Sequence, residues 1–404
     1  MDAFKKTSLF KYLQAIRALP RGIFNHNLFL TAAFFATAET PKGWDEGSAA
    51  AITQLPSFKA EFHLDSTKDS ATISNLVSFV NLGAGIGALL SFLLNDRLGR
   101  IWSMRIYHII YVIGTLISCF SYGHVGTSYT GRIVAGLGIG ACTVVGPIAI
   151  TEIAPKTVRG LMTIWVNVAM LIVQTLGIFT VYGCSLNISS TLRLQSQIPW
   201  FVQTFVPIIV SLLSFFVTTI IASLAFVDMV GRRGSLFTGI TVQAICHSYL
   251  AGYLRYFVES PKTIPTSASD GAIAIIYIHG FSWAVGLYTL PYLFGAELWP
   301  NRIRSFGGAL SQSFHWLFCL AITKATPSLI SSMNTWGVFR FFAAWCIVGL
   351  LYTYFSVPET SGLSLDDLDR IFERHIYQMR RHLTREIEDG DDGLQNNGEV
   401  QHVE

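Results

Sequence analysis

Long apolar segments separated by short polar loops run through most of the chain. A helix needs about 20 mostly apolar residues to cross the hydrocarbon core of a bilayer. The pattern therefore predicts an all-α membrane protein with about ten spans. The first predicted span is the weakest, because Glu39, Lys42, Asp45 and Glu46 interrupt it. The predicted spans are 24–55, 74–94, 102–122, 129–151, 161–184, 198–227, 235–257, 271–296, 307–330 and 337–357.

The composition supports this class and excludes several others. Of the 404 residues, 51% are hydrophobic and 13% are charged, whereas soluble domains carry about 25% charged residues. A net charge of +3 over this length gives no basic surface for nucleic acid. The six cysteines form no CxxC pair, and the loops contain no nucleophile–base or metal-ligand grouping. We therefore predict that the protein is not an enzyme and has no catalytic residue, metal or cofactor.

Basic residues concentrate at the start of the chain, in alternate loops and near the end. Short cytoplasmic loops of membrane proteins are enriched in Lys and Arg. If residues 1–22 are a basic cytoplasmic leader, the loops on the cytoplasmic side and a tail at 358–404 hold most of the remaining positive charge. Both termini are therefore predicted to be cytoplasmic.

Two short polar motifs each occur twice, in the same order. The first runs from an aspartate to an arginine, at 96–100 and again at 228–233. The second starts with a glutamate, followed by a proline and an arginine, at 152–159 and again at 297–304. Two ordered copies at matching positions indicate a duplicated helical bundle.

The motif residues are candidates for conformational gating. A carboxylate and an arginine at helix ends can pair across the cytoplasmic face in one state of a transporter and separate in the other. Glycine permits a tight turn between the helices. The alternative is that the motifs only set topology and hold loops in place. The candidates are Asp96, Arg97, Gly99, Arg100, Glu152, Arg159, Asp228, Arg232, Arg233, Glu297 and Arg304.

The duplication is incomplete in the middle of the chain. An intact duplication would contain four spans between Arg159, which ends the first copies of the motifs, and Asp228, which starts the second copies. Only two apolar segments, 161–184 and 198–227, lie there. The second is about 30 residues long, or roughly 45 Å as a helix, which exceeds a hydrocarbon core of about 30 Å. We therefore predict an N-terminal bundle at 23–186 and an incomplete C-terminal bundle at 187–357, with a fused span at 198–230.

These motifs resemble those of the sugar porter family of the major facilitator superfamily, in particular fungal-type sugar and quinate transporters. Further matches are Gly131-Arg132 with Gly136, Gly138, Gly140 and Pro147 in the fourth span, and Pro358-Glu359-Thr360 with Gly362 after the last span. The family has twelve spans and a central loop. This chain lacks that loop, the Pro-Glu-Ser-Pro-Arg motif and the seventh span, with a junction near Phe215–Thr219. The resemblance implies pseudo-symmetric helical bundles with about ten spans instead of twelve.

The resemblance also implies a function. It implies transport of a monosaccharide or related polyol across the plasma membrane by alternating access, with proton symport favoured. The expected partners are the small-molecule substrate, a proton and the lipid bilayer, but not nucleic acid. Since the missing seventh span supplies major sugar contacts in the family, the alternative is a membrane protein that does not transport, either a sensor or an inactive truncated transporter.

Asp45 and Arg132 are the candidates for proton coupling. Asp45 lies in Gly43-Trp44-Asp45-Glu46-Gly47, which resembles the family's G-Y-D-x-G motif. In proton-coupled members that aspartate faces the arginine at the start of the fourth span, here Arg132. A buried carboxylate beside an arginine can hold or release a proton as its partner moves. The alternative places Asp45 in a watery vestibule, with Arg132 only capping its helix. Lys42 and Glu46 depart from the usual apolar flank and could pair with Asp45.

Five further residues are candidates for binding the substrate. Asn167 stands where the family has a sugar-binding glutamine, and Gln174 lies two turns further along. Tyr292 stands where many members have the tryptophan of a Pro-Trp pair. His315-Trp316 stands where members often have Asn-Trp. Polar and indole groups facing a central cavity suit a hydroxylated ligand, although each residue can instead join helices to one another.

Lys324 is a charged residue in the middle of a predicted span. Such a charge is costly and by default suggests function, here the binding of an anionic substrate such as a quinate-like carboxylate. The side chain can also extend towards the membrane surface or pair with a carboxylate. We favour the structural interpretation.

Overall fold

The computed structural model describes residues 26–65, 69–155, 159–187, 232–258, 266–288 and 290–357. Within these ranges the regular secondary structure is helical, as the apolar pattern predicts. The predicted leader, the fused span at 198–230 and the tail lie outside the described residues.

In the first half of the chain, helices pack around a long central one. A 3-10 turn, Thr37–Glu39, separates the first two helices and interrupts the first predicted span. Helix α7 is the central helix, since most of its side chains are buried and α4 and α6 pack along it. The helices are α1 (His26–Ala36), α2 (Thr40–Ile52), α3 (Pro56–Glu61), α4 (Ser70–Leu90), α5 (Phe92–Leu98), α6 (Arg100–Cys119), α7 (Val125–Ile153) and α8 (Arg159–Asn187).

The second half, from Arg232 onwards, contains longer and more interrupted helices. Two π-helical segments, Leu254–Val258 and Ala284–Tyr288, follow directly on α-helices, and a 3-10 turn at Asn301–Ile303 precedes the last helix. The helices are α9 (Arg232–Tyr253), α10 (Thr266–Trp283), α11 (Leu290–Glu297) and α12 (Arg304–Ser356).

Helix length and apolarity agree with a membrane protein. Among the described residues, five helices are long and apolar enough to cross a bilayer, and a bent pair at Ser267–Trp283 and Gly286–Ala296 gives a sixth span. Helix α12 covers 53 residues, but it consists of two helices joined across a kink, and each part has the roughly 20 residues that one crossing needs. Its path breaks at Asn334 (φ 58°, ψ 167°), between two predicted spans. Each predicted span apart from the one at 198–227 coincides with a helix or a pair of helices.

Glycines allow α4 and α7 to touch along their backbones. A Cβ atom added at Gly140 would lie 1.9 Å from the carbonyl oxygen of Ala84, and one at Gly83 would lie 2.1 Å from that of Ile133. Neither position can hold a larger residue without moving a helix, because the clashing atoms are backbone. Small residues at a helix interface are typical of membrane bundles.

The two halves meet in an apolar cluster beside α7. Ile139 and Ile148 of the first half pack in one buried cluster with Ala296, Ala309 and Trp316 of the second. Large apolar side chains elsewhere point outwards, so the outer surface suits contact with lipid chains. Examples of these exposed residues are Trp102, Ile109, Phe318, Tyr352 and Phe355.

Candidate functional site

Helix α2, which carries the predicted proton-coupling aspartate, is held against α8 by two glycines. A Cβ atom added at Gly43 would lie 2.3 Å from the carbonyl oxygen of Met170, and one at Gly47 would lie 2.2 Å from that of Gln174. The close approach of the two backbones fixes the rotation of α2. That rotation directs Asp45 towards α7 and Lys42 towards the second half of the chain.

Asp45 and Arg132 form a two-pronged ion pair between α2 and α7. Both nitrogen atoms at the end of the guanidinium donate to the carboxylate, with 3.1 Å between Arg132 Nη2 and Asp45 Oδ2. The side chains are 13% exposed for Asp45 and 14% for Arg132. Arg132 Nε also donates to the carbonyl oxygen of Leu76 at 2.8 Å. The predicted partners are therefore in contact, and the arginine is further fixed by α4.

Lys42 does not pair with Asp45 but reaches across to the second half. It is 5% exposed, and its ammonium group donates to the hydroxyl of Tyr292. The same nitrogen lies 4.8 Å from the ring centre of Tyr292 and 5.3 Å from that of Trp316. It forms an ion pair with Glu46, 3.9 Å from Oε1. Lys42 therefore joins two predicted substrate residues, a placement that the sequence analysis did not foresee.

Glu39 is a buried carboxyl group that the sequence analysis noted only as an interruption of the first span. It lies in the 3-10 turn and is 1% exposed. Both of its carboxyl oxygens are buried without a hydrogen-bond partner. The signal that points to it is the spacing of Glu39, Lys42 and Glu46, which places three charged residues on one face of a helix within a membrane span.

The predicted substrate residues of the second half lie around Lys42. Tyr292 and Trp316 are both buried. The ring of His315 lies 6.0 Å from that of Tyr292 and 5.6 Å from that of Trp316. Trp316 Nε1 donates to the hydroxyl of Thr143 in α7 at 3.2 Å. These side chains thus form one polar and aromatic group, called here the central cluster, where the two halves meet.

The predicted substrate residues of the first half lie on α8. Asn167 is buried and Gln174 is half-buried. Met170 lies between them, at a spacing that places all three on one helix face. The hydroxyl of Tyr288 donates to the sulfur of Met170 at 3.2 Å. This face of α8 therefore meets the second half next to the central cluster.

The first copies of the repeated motifs meet at one end of the bundle, called here the motif end. Arg100 donates to both carboxylate oxygens of Glu152, at 3.1 and 2.7 Å, and to Asp96 at 3.0 Å. It also donates to the hydroxyl of Ser305 at 3.1 Å, and that hydroxyl donates to Asp96. Gly99 makes the turn before Arg100 with a φ of 78°, a conformation that favours glycine. Ser305, which joins the second half to this network, was not predicted.

The other predicted gating residues are more dispersed. Arg97 is exposed, whereas Arg159, Arg232 and Arg304 are buried. Arg233 donates to the carbonyl oxygen of Tyr354 at 2.7 Å. Helix α11 ends at Glu297. Asp228 lies outside the described residues, so the pairing of the second motif copy stays a prediction.

Lys324 lies away from the central cluster. Its ammonium group donates to the side-chain oxygen of Asn75 in α4, and lies 5.5 Å from the ring centre of Phe79. These contacts join α12 to α4, in agreement with the structural interpretation of this lysine. Within the described ranges, no group of three or more His, Cys, Asp or Glu residues is placed to hold a metal ion.

Comparisons with known proteins agree with the fold and the motifs. The family model for sugar (and other) transporters matches residues 31–218 and 215–372. The two matches meet at 215–218, the place where the predicted junction left by the missing spans lies.

Curated relatives are similar over nearly their whole length. The quinate permease of Neurospora terricola is 23% identical over 509 aligned positions, which cover 93% of this chain and 94% of the relative. The quinate permease of Emericella nidulans is 22% identical, with 94% and 95% covered. Because these alignments are longer than the 404 residues of the chain, the relatives contain internal sequence that this chain lacks.

Solved structures share the fold. A structure of the major facilitator superfamily proton:xylose symporter XylE bound to 6-bromo-6-deoxy-D-glucose has a TM-score of 0.67, at 15% identity, and the match covers 86% of this chain and 100% of that one. An inward open conformation of the xylose transporter XylE from E. coli has a TM-score of 0.61, at 16% identity, with 85% and 99% covered. With the family match over most of the chain, the protein belongs to the sugar (and other) transporter family of the major facilitator superfamily, and is an integral, multi-pass membrane protein rather than an enzyme.

Proposed function

We propose that the chain transports a polyhydroxylated small molecule, a monosaccharide or a related polyol, together with a proton, by alternating access. The observation that carries this proposal is the Asp45–Arg132 ion pair, largely buried between α2 and α7, on the helix that also carries Lys42. A carboxylate that an arginine can hold or release is suited to proton coupling. The description of XylE as a proton:xylose symporter supports the same coupling.

The central cluster supplies groups that suit a hydroxylated substrate. Hydroxyl, imidazole and indole groups of Tyr292, His315 and Trp316 are close to one another, and Asn167 adds an amide from α8. Such groups orient a polar ligand while the aromatic rings cover its apolar faces. Lys42 adds a positive charge among them. Of the candidate substrates, this charge favours a quinate-like carboxylate over a neutral sugar, in line with the relatives described as quinate permeases.

The network at the motif end provides the gate. Ser305 of the second half bonds to Asp96 and Arg100 of the first, so the motif end is closed in this conformation. Separation of the halves would break these bonds and open a path to the central cluster, as in rocking-bundle transport. On this proposal the motif end is cytoplasmic, both termini face the cytoplasm, the protein lies in the plasma membrane, and the bundles are 23–186 and 187–357.

A second candidate function is favoured by the length of the alignments. The relatives contain internal sequence that this chain lacks, and the sequence analysis assigns the loss to two spans and the central loop. A chain without those spans would be a membrane protein that does not transport, either a sensor or an inactive truncated product.

The deciding experiment is uptake into proteoliposomes. Radiolabelled quinate and xylose are offered with and without an imposed proton gradient. We expect saturable uptake that the gradient drives, and its loss in Asp45→Asn and Arg132→Ala. The matched control is Asp270→Asn, which changes an exposed aspartate at the start of α10. Absence of saturable uptake by the correctly folded wild-type chain would favour the second candidate, and full coupling in both variants would disprove the role of the pair.

A further inference from the structure

We propose that Glu39 is a proton-binding site separate from the Asp45–Arg132 pair, and that its proton controls whether Lys42 is held by Tyr292 or by Glu39. The proposal rests on the proposed transport function for its purpose, but its chemistry can be tested without transport. It starts from the position of Glu39 in a 3-10 turn between two helices. Interrupted helices within the membrane are places where transporters bind coupling ions.

The surroundings of Glu39 fit the neutral acid and not the carboxylate. The residue is 1% exposed, and neither carboxyl oxygen has a hydrogen-bond partner. A buried carboxylate is tolerated when it is paired and hydrogen-bonded, and otherwise takes up a proton. In this conformation Glu39 is therefore a carboxylic acid.

Asp45 differs from Glu39 in this respect. It accepts two hydrogen bonds from a guanidinium group, an arrangement that favours the ionised carboxylate. The conformation described here therefore favours a proton on Glu39, whereas Asp45 is held in its ion pair with Arg132.

The groups that act electrostatically on Glu39 come from three parts of the fold. Lys42 and Glu46 lie on α2, directly after Glu39, Cys142 lies on α7, and the hydroxyls of Tyr288 and Tyr292 lie in the second half. Lys42 is the cation of this group. It is three residues from Glu39, which places the two side chains on the same face of the helix.

Besides its ion pair with Glu46, Lys42 therefore has two alternative partners, the hydroxyl of Tyr292 and the carboxyl group of Glu39. With Glu39 protonated, its ammonium group bonds to the hydroxyl of Tyr292. When the O–H bond of Glu39 breaks, the proton passes to a water molecule and the electron pair stays on the carboxylate. The flexible lysine side chain then turns back to the new charge, and the contact between the halves at Tyr292 is lost. Proton release at Glu39 and rearrangement of the central cluster thus become one event.

The test is infrared spectroscopy of the full chain in lipid nanodiscs during a pH titration. We expect a band from a protonated, buried carboxyl group that disappears at high pH in the wild type. The band should be absent in Glu39→Gln and present in Asp45→Asn. Glu61→Gln, which changes an exposed glutamate of α3, is the matched control and should keep it.

Two results would overturn the proposal. One is a band that persists in Glu39→Gln, and the other is a wild type in which no such band appears while the protein is folded. The amide bands of the same spectra report whether Glu39→Gln has kept its helices, and Glu39→Asp should restore a titrating carboxyl if the glutamine variant does not fold. A wild type with the band but without uptake would disprove the transport function and leave the Glu39 site in place.

Discussion

Asp45 and Glu39 are two buried carboxyl groups of the first predicted span, and their surroundings are opposite. Asp45 accepts two hydrogen bonds from Arg132, whereas the carboxyl oxygens of Glu39 have no partner. An adjacent arginine favours the ionised form, and burial without hydrogen bonds favours the neutral form. Two carboxyl groups in such different environments can take different roles in one mechanism. Here Asp45 is held by Arg132 as long as the pair stays intact, and Glu39 is the proposed second proton-binding site.

The difference between the two carboxyl groups depends on where Lys42 goes. Lys42 is three residues from each of them, so it could pair with either along the helix. It bonds instead to Tyr292, whose position in the sequence is 250 residues away. The hydrogen-bond partner of Lys42 is thus supplied by the second half of the chain. Any movement between the halves would therefore change the contacts of this charged side chain.

The largest expected effect comes from Arg132→Ala, which gives Asp45 the unpartnered environment of Glu39. Removing one member of a buried ion pair costs about 3–5 kcal/mol. We expect a clear fall in the midpoint of thermal unfolding, measured by tryptophan fluorescence in lipid nanodiscs. Adding Asp45→Asn to the same chain should recover much of the loss, because no uncompensated charge remains.

The control for that variant is Arg105→Ala. Arg105 is exposed and lies over the ring of Trp102 at 4.7 Å, so its removal should leave the midpoint almost unchanged. An unfolding midpoint of Arg132→Ala equal to that of the wild type would mean that the ion pair does not stabilise α2 against α7.

A smaller effect is expected from Asp45→Asn alone. Arg132 would keep the carbonyl oxygens of Leu76 and Val77 as acceptors. The variant therefore loses one charged hydrogen-bond partner, worth about 1.5–3 kcal/mol. The same unfolding measurement should place this variant between the wild type and Arg132→Ala. A lower midpoint for Asp45→Asn than for Arg132→Ala would show that the carboxylate, left alone, finds better hydrogen-bond partners than the arginine does.

The contact between Asp45 and Arg132 could be predicted from the sequence, whereas the surroundings of Glu39 could not, and the reason is physical. A motif that places an aspartate and an arginine at fixed positions of two spans fixes their contact whenever the fold is correct. The state of Glu39 depends instead on the direction of Lys42, and Ser305 becomes part of the gate because it meets Asp96 across 209 residues of sequence. Contacts between distant segments of this kind leave no local pattern. The apolar pattern, in contrast, was sufficient to place a helix or a pair of helices at each predicted span within the described residues, including the two on either side of the break at Asn334.

Lys42→Met tests how the lysine beside the two carboxyl groups acts on the substrate. Its expected effect on substrate affinity is similar to or smaller than the effect of Asp45→Asn on stability. If Lys42 binds a carboxylate, its loss removes a charged hydrogen bond of about 1.5–3 kcal/mol, or roughly tenfold to a hundredfold in affinity. We expect uptake of quinate to weaken by that factor and uptake of xylose to change little. Competition between the two substrates in proteoliposomes measures the ratio directly.

Lys324→Met is the matched control for that experiment. It removes the other lysine that the sequence analysis considered for an anionic substrate, and its observed partner is Asn75. We expect it to keep the preference of the wild type. If Lys324→Met loses the preference and Lys42→Met keeps it, the carboxylate site has been assigned to the wrong lysine.

The smallest expected effect is that of Ser305→Ala, which tests whether the central cluster and the motif end act separately. The hydroxyl of Ser305 joins Asp96 and Arg100 of the first half to the second half. Because Asp96 is exposed to solvent, which weakens its charged hydrogen bonds, we take the contribution as about 1 kcal/mol. Its loss should make the closed motif end roughly fivefold less favoured.

Hydrogen exchange should then become faster around the turn at Gly99, whereas Ser332→Ala, in an exposed part of α12, should not change it. Because Glu39 lies in the 3-10 turn before α2 and not in this network, its infrared band should be unaffected, and a band that changed with Ser305→Ala would mean that the two sites are one coupled unit.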